Sequence, residues 1–418
     1  MIQSGRLKSG MQVLTEHIPH AISVSAGLWV LRGARSEPAE ACGVTHFIEH
    51  LFFKGTETRT ALDISREIES VGGSLNAFTG KEFLCLHARV LNSNLSLAME
   101  LLSDIFLRSI LPDDEIERER QVILQEIQMV EDSPEELIHE LFVSSYWRDQ
   151  ALGRSTLGTQ ESIGSLNREG LLACMKLLHD PSKVLLTVAG NLDHEEVLAL
   201  AEKYFTFPEG ETIDVPLEKP DIQGGLNVHI KQLGQAHLCL GTLGYHYSHP
   251  RRYAYHVLNT LLGGGMSSRL FQEIREKRGL AYAVYSFQAS FIDTGMLGMY
   301  VGTNKEAVID VVHLLLENLT RLKDEEVSVA ELTTAKEQLK GNLLLSTEST
   351  GSRMSKLAMN QIYFGKQINI EDVIADIDKV TLTDIQEISQ YLFRSDYMRL
   401  TVLGDIDKHA LTDISLTC

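Results

Sequence analysis

His46-Phe47-Ile48-Glu49-His50 sets two imidazoles four positions apart with a carboxylate between them. On a helix, positions i and i+4 share a face, so both rings can reach one metal ion. Glu49 stands one position before the second His, close enough to act on a water held by that ion. The order is His-x-x-Glu-His, the reverse of His-Glu-x-x-His, and the chemistry it suits is the same: two imidazole ligands and a carboxylate base for hydrolysis. A catalytic zinc takes three protein ligands and keeps a fourth position for water, so the pattern asks for one more donor.

The stretch from Glu115 to Ile127 reads as the helix that brings it. Ile116, Val122, Ile123 and Ile127 recur at helical spacing, and no Gly or Pro interrupts them. Glu119 and Glu126 are two turns apart and lie on one face. Standing alone, such a segment is a solvated charged helix; beside the His-x-x-Glu-His motif it is the source of the third ligand.

These residues resemble a known family. His46 to His50, continued by Leu51-Phe52-Phe53-Lys54-Gly55-Thr56, is similar to the pitrilysin (insulinase-type) zinc metallopeptidases, including the mitochondrial processing peptidase branch and its bacterial processing-protease-like relatives. The resemblance extends over essentially the whole chain. In that family the third ligand is a Glu about this far downstream, closing a run like Val-Ile-Leu-Gln-Glu-Ile. Glu126, 76 residues beyond His50, matches in spacing and context. The resemblance therefore implies one Zn2+ per subunit on His46, His50 and Glu126, with Glu49 as general base and Glu119 as the further Glu that supports the site. Many relatives carry Glu where this chain has Gln125, a position that is not a ligand.

Two more segments share the likeness. Gly263-Gly264-Gly265-Met266-Ser267-Ser268 leads to Arg275 and, after Gly279-Leu280-Ala281, to Tyr282. Read without the family, the glycines suggest a helix entry, an anion-binding turn or a flexible interdomain turn, and the alternation around Tyr282 suggests a buried strand aromatic. The resemblance implies that Arg275 and Tyr282 hold the substrate and the oxyanion, a task for which a guanidinium and a phenol are good donors. Gly72-Gly73-Ser74-Leu75-Asn76-Ala77-Phe78-Thr79 reads as a turn followed by a strand. The family makes it the sheet-edge strand near the metal, to which a peptide adds as a further strand.

Elements that could position these groups appear twice. Leu186-Thr187-Val188-Ala189-Gly190-Asn191-Leu192-Asp193 recurs as Leu400-Thr401-Val402-Leu403-Gly404-Asp405-Ile406-Asp407. Strand patterns at 12–14, 24–31, 85–90, 236–242 and 296–301, with an amphipathic helix over 305–322, occur in both halves. The expected fold class is α+β: two homologous α/β domains, each a mostly antiparallel sheet with helices packed on it, and the resemblance implies that they form half of a metallopeptidase clamshell. The expected layout is a zinc-binding catalytic domain over 1–210, a Pro-, Gly- and Glu-rich linker over 211–225, and a duplicated domain over 226–418 that carries Arg275 and Tyr282. Setting His256-Val257-Leu258-Asn259-Thr260 against the motif keeps one His and loses both the base and the second ligand. The counterpart of Glu126 falls near Lys340. On this alignment the second copy has kept the fold and lost the metal.

The 418-residue length allows two large cores, and the 44% hydrophobic content is that of an ordinary globular protein. A net charge of −19 argues against nucleic-acid binding, which needs basic patches. Cys42, Cys85, Cys174, Cys239 and Cys418 form no Cys-x-x-Cys pair and fit reduced thiols. With no signal-like segment and no run of 18 apolar residues, a cytoplasmic protein that does not span a membrane is expected. The activity expected is that of a zinc endopeptidase on peptides. Its partner is expected to be a second copy, with an inactive sister subunit as the other form known in the family. The rival readings are a non-catalytic or partner-dependent subunit of a peptidase-like complex and a metal-binding protein that traps peptides without cutting them.

Overall fold

The computed structural model describes residues 1–208, 214–407, 409, 411 and 414–418. Residues 209–213, where the first domain was expected to end and the linker to begin, lie outside the described residues. The remainder forms two compact units. The first consists of residues 1–129, 154–218 and 346–367; the second consists of 130–153, 219–345 and 368–418.

Six strands build the first unit: β1 (Ile2–Arg6), β2 (Gln12–His17), β3 (Ser23–Val30), β4 (Ser74–Thr79), β5 (Leu84–Leu91) and β6 (Val184–Gly190). Their order is β1-β2-β6-β3-β5-β4, with β2 and β6 parallel and every other neighbour antiparallel. The second sheet has β7 (Gly225–Ile230), β8 (Ala236–Gly244), β9 (Ala281–Ser290), β10 (Gly295–Thr303) and β11 (Arg399–Gly404) in the order β7-β11-β8-β10-β9. Here β7 and β11 are the parallel pair. Removing β1 leaves two sheets of the same order and direction, as the sequence repeat predicts. The repeated Leu-Thr-Val segments are β6 and β11, and each is buried along its whole length beside the parallel neighbour. The α+β class and the duplicated, mostly antiparallel architecture are those expected.

Each sheet carries its own hydrophobic core. In the first, Leu28, Leu86, Leu101, Leu102 and Ile105 are fully buried where the helix Leu95–Leu107 packs on β3 and β5. The second core places the helix Val308–Asp324 on β8 and β10 in the same way. That helix begins after a short 3-10 turn at Lys305–Ala307, so the expected start at 305 is early by one turn.

The chain halves are not the units. The helix Pro134–Tyr146 comes from the first half but packs on β8 and β11, and Thr350–Phe364 comes from the second half but packs on β2, β3 and β6. A glycine makes room in each case. A Cβ on Gly241 of β8 would stand 2.1 Å from the Phe142 ring, and one on Gly27 of β3 would stand 2.3 Å from the Met354 sulfur. Helical periodicity tells that a face will be buried, but not which sheet will receive it. No helix among the described residues is long and apolar enough to cross a membrane.

Candidate metal centre

The motif forms the helix Val44–Leu51. Gly43 precedes it with φ 88°, a left-handed conformation that favours glycine. Glu37 takes the place of a capping side chain: its carboxylate accepts the Gly43 N–H at 2.7 Å and the Thr45 N–H at 2.8 Å. A carboxylate at this end satisfies free backbone donors and suits the helix dipole. Phe47, Ile48 and Leu51 anchor the helix in the core with no exposure. That leaves His46, Glu49 and His50 on the remaining face.

The predicted second helix runs from Asp113 to Asp132, with three acidic residues in its first turn. Ile116, Ile123 and Ile127 face the core, whereas Val122, expected among them, is an exposed position. Val122 is six positions after Ile116, about 600° of rotation, and so falls some 120° away from the Ile116–Ile123–Ile127 stripe at ~100° per residue. Arg120 ties this helix down. Its guanidinium donates to the Leu166 carbonyl at 2.7 Å and lies 5.5 Å from the Phe47 ring centre on the motif helix.

The two helices bring His46, His50 and Glu126 together. Glu126 Oε2 lies 3.6 Å from Nε2 of each imidazole, and one donor atom from each of the three residues falls within a 4.8 Å cluster. A tetrahedral zinc with N and O ligands at ~2.1 Å separates its ligand atoms by about 3.4 Å. The donor set therefore fits such an ion in both type and spacing. Burial, together with the neighbouring His50, pulls the His46 pKa down to about 4, so the ring is neutral, as a ligand must be. For His50, burial also pulls downward, but the Glu126 and Glu119 carboxylates outweigh it and the pKa is raised. Glu126 is held below the usual carboxylate range by the His50 hydrogen bond.

Glu119 occupies the supporting position. Its Oε2 lies 2.9 Å from His50 Nδ1, which leaves His50 Nε2 facing Glu126. Its other oxygen pairs with Lys54 Nζ at 2.7 Å. His46 Nδ1 is buried and has no hydrogen-bond partner among the described residues.

Glu49 is half-buried on the same face, and burial raises its pKa. The hydroxyl of Thr79 donates to Glu49 Oε2. Thr79 closes β4, which is the free edge of the first sheet, where Gly72 to Thr79 was expected to lie. Two contacts were not foreseen: Thr79 on Glu49, and Lys54 on Glu119. Both residues lie in segments that drew notice, but each contact joins parts of the chain that only the fold brings together.

Arg275 and Tyr282 belong to the second unit, where they meet each other. The Arg275 guanidinium lies 4.6 Å from the centre of the Tyr282 ring and 4.7 Å from that of Phe271. Arg275 sits in a six-residue π-helix, Phe271–Glu276, a rare geometry often found at functional sites. Tyr282 is 78% exposed on the edge strand β9, which corrects the buried-aromatic reading of that strand. The glycine triplet is a helix exit: Gly263 ends the helix Arg252–Gly263.

Known proteins share both sequence and fold with this chain. Residues 12–160 match the family model described as insulinase (peptidase family M16), and residues 165–339 match the peptidase M16 inactive domain. The uncharacterized zinc protease YmxG of Bacillus subtilis is 38% identical over 95% of this chain and 97% of its own length. An uncharacterized zinc protease of Mycobacterium leprae is 39% identical over 94% of this chain and 89% of its own. The crystal structure of a protease from Helicobacter pylori superposes with a TM-score of 0.90 at 21% identity, covering 97% of this chain and 99% of that one. Both halves, the relatives and the fold agree: the chain belongs to the insulinase family of peptidases, family M16.

Proposed function

We propose that the protein is a zinc-dependent endopeptidase that hydrolyses short or unfolded peptides. The observation that carries this reading is the convergence of two imidazoles and a carboxylate, with Glu49 on the same face. The names of the relatives, zinc proteases, support it. His46, His50 and Glu126 would hold the ion. Bound zinc would supply a Lewis acid for the scissile carbonyl and lower the pKa of a water. Glu49 takes the proton of the attacking water and returns it to the leaving amide nitrogen. Its raised pKa suits both steps, since a carboxyl nearer neutrality both accepts and releases a proton readily. Thr79 holds one Glu49 oxygen and leaves the other for the water. A peptide would add to the free edge of β4, with main-chain hydrogen bonds supplying affinity.

Arg275 and Tyr282 would hold the substrate and the oxyanion, contributed to each zinc site by a second copy of the chain. The exposure of Tyr282 and its contact with Arg275 support a paired role on a surface. The five cysteines, all free thiols, support a cytoplasmic setting.

A panel of quenched-fluorescence peptides tests the activity. Cleavage that stops on chelation and returns with zinc is expected; cleavage unaffected by thorough zinc removal would overturn the reading. Mixing inactive Glu49→Gln protein with Arg275→Ala protein tests the pairing. Recovered turnover is expected, and a mixture as inactive as its parts would refute contribution by a second copy.

A further inference from the structure

Lys54 has no part in the ligand set, yet it sits one step behind it. It follows His50 by four positions, just past the end of the motif helix, and its Nζ reaches Glu119 Oε1 at 2.7 Å on the facing helix. The Glu119 side chain is only 6% exposed, so its charge is largely cut off from water. Two groups compensate that charge: the Lys54 ammonium on one oxygen and the His50 ring N–H on the other, at 2.9 Å. His46 has no comparable support, since its Nδ1 is unpartnered among the described residues.

We propose that Lys54 is a positioning residue for the metal centre: it clamps one oxygen of Glu119, so that the other stays aimed at His50 Nδ1 and fixes the orientation of that ring. The inference rests on the zinc reading above and extends it to a residue that touches no ligand. The physical reason is geometric: a carboxylate held at one oxygen keeps its other oxygen in line with the ring nitrogen. Without the Lys54 clamp, other rotamers open to the Glu119 side chain and its Oε2 no longer stays on the ring nitrogen. An imidazole whose second nitrogen is not held can rotate or switch tautomer, and its metal affinity falls. A Glu119 held by packing alone would not need Lys54, which makes the two separable.

Zinc affinity of the purified full chain, measured by competition with a chromophoric chelator, provides the test without relying on catalysis. Lys54→Met keeps the apolar stem and removes the charge. It is expected to weaken zinc binding on the order of ten-fold, the range typical of outer-shell losses. Lys54→Arg is expected to restore most of the affinity, and Glu119→Gln to weaken binding at least as much as Lys54→Met. Adding Lys54→Met to Glu119→Gln is expected to cost nothing further, because Lys54 acts only through Glu119. Wild-type affinity in Lys54→Met, or losses that multiply in the double variant, would overturn the inference. Metal-free thermal unfolding of each variant, together with Lys54→Gln as a second neutral variant, separates positioning from loss of fold. If wild-type protein binds no zinc, the peptidase reading itself fails; if it binds zinc and Lys54→Met binds equally well, only the Lys54 inference fails.

Discussion

The helix Val44–Leu51 and the helix Arg252–Gly263 enter homologous sheets, but they carry different chemistry. In the first, His46 and His50 turn their Nε2 atoms toward Glu126, and Glu49 stands beside them. In the second, His256 is half-buried and engages the Gln288 side chain at 2.7 Å, while Thr260 donates to the His256 carbonyl. Asn259 is the residue that the sequence alignment sets against Glu49, and Ser286 donates to its carbonyl. On the long helix of the second unit, Lys340, set against Glu126 by the sequence alignment, pairs with Asp378 at 2.8 Å. Polar groups at the second site thus face one another, whereas those at the first face a common point. The fold holds without the ligands, so their presence in the first unit answers to something other than folding. The match of the second half to a domain described as inactive agrees with that contrast.

Breaking the donor set on each side would sharpen the contrast most. Glu126→Ala removes one of three ligands and is expected to take the protein from one bound zinc to none after gel filtration. His256→Ala, its control, is expected to leave zinc content unchanged. Metal analysis of the two proteins decides it, and equal zinc loss in both would erase the distinction between the units.

A smaller effect is expected where the motif helix is fastened. Asp104, whose side chain is 1% exposed, accepts from Thr56 at 2.7 Å and pairs with Arg59 at 3.0 Å, holding the segment just beyond Lys54 to the helix Leu95–Leu107. Burial alone would raise its pKa, but the bonds from Thr56, Arg59 and Arg108 outweigh it and hold the carboxyl below its usual range. Stability from a depressed carboxylate is fully present above the unfolded pKa of about 3.9 and is lost as pH falls through the lower folded value. Asp104→Asn is therefore expected to cost about 3 kcal/mol near neutrality, as when one partner of a buried pair is removed. In denaturant titrations the gap to wild type is expected to shrink below pH 4. A gap that stays constant down to pH 2 would contradict an ionised Asp104 as its cause.

Much of this was legible because it is local. The spacing of His46, Glu49 and His50 is a property of one helical turn, and the Leu-Thr-Val repeat at β6 and β11 lies in continuous chain. Glu126 was legible through its own helix and the family pattern around it. The exchange of Pro134–Tyr146 and Thr350–Phe364 was not, since an amphipathic stripe carries no address. β1 was missed for another reason: four of its five residues are exposed, so no apolar alternation marks it. Contacts of Thr79 with Glu49, 30 positions apart, and of Lys54 with Glu119, 65 apart, depend on how a sheet edge and a second helix meet the motif. Such pairs follow from tertiary packing and leave no periodic trace.

Glu49 is proposed above as the base at a zinc site that hydrolyses peptides. Turnover of a cleavable quenched peptide by wild type and by Glu49→Gln, compared at equal measured zinc content, tests it most directly. Full zinc occupancy is expected in the variant, with a fall in kcat on the order of 10²–10⁴-fold, the scale of general acid–base catalysis. Turnover at the wild-type rate by zinc-loaded Glu49→Gln would contradict it.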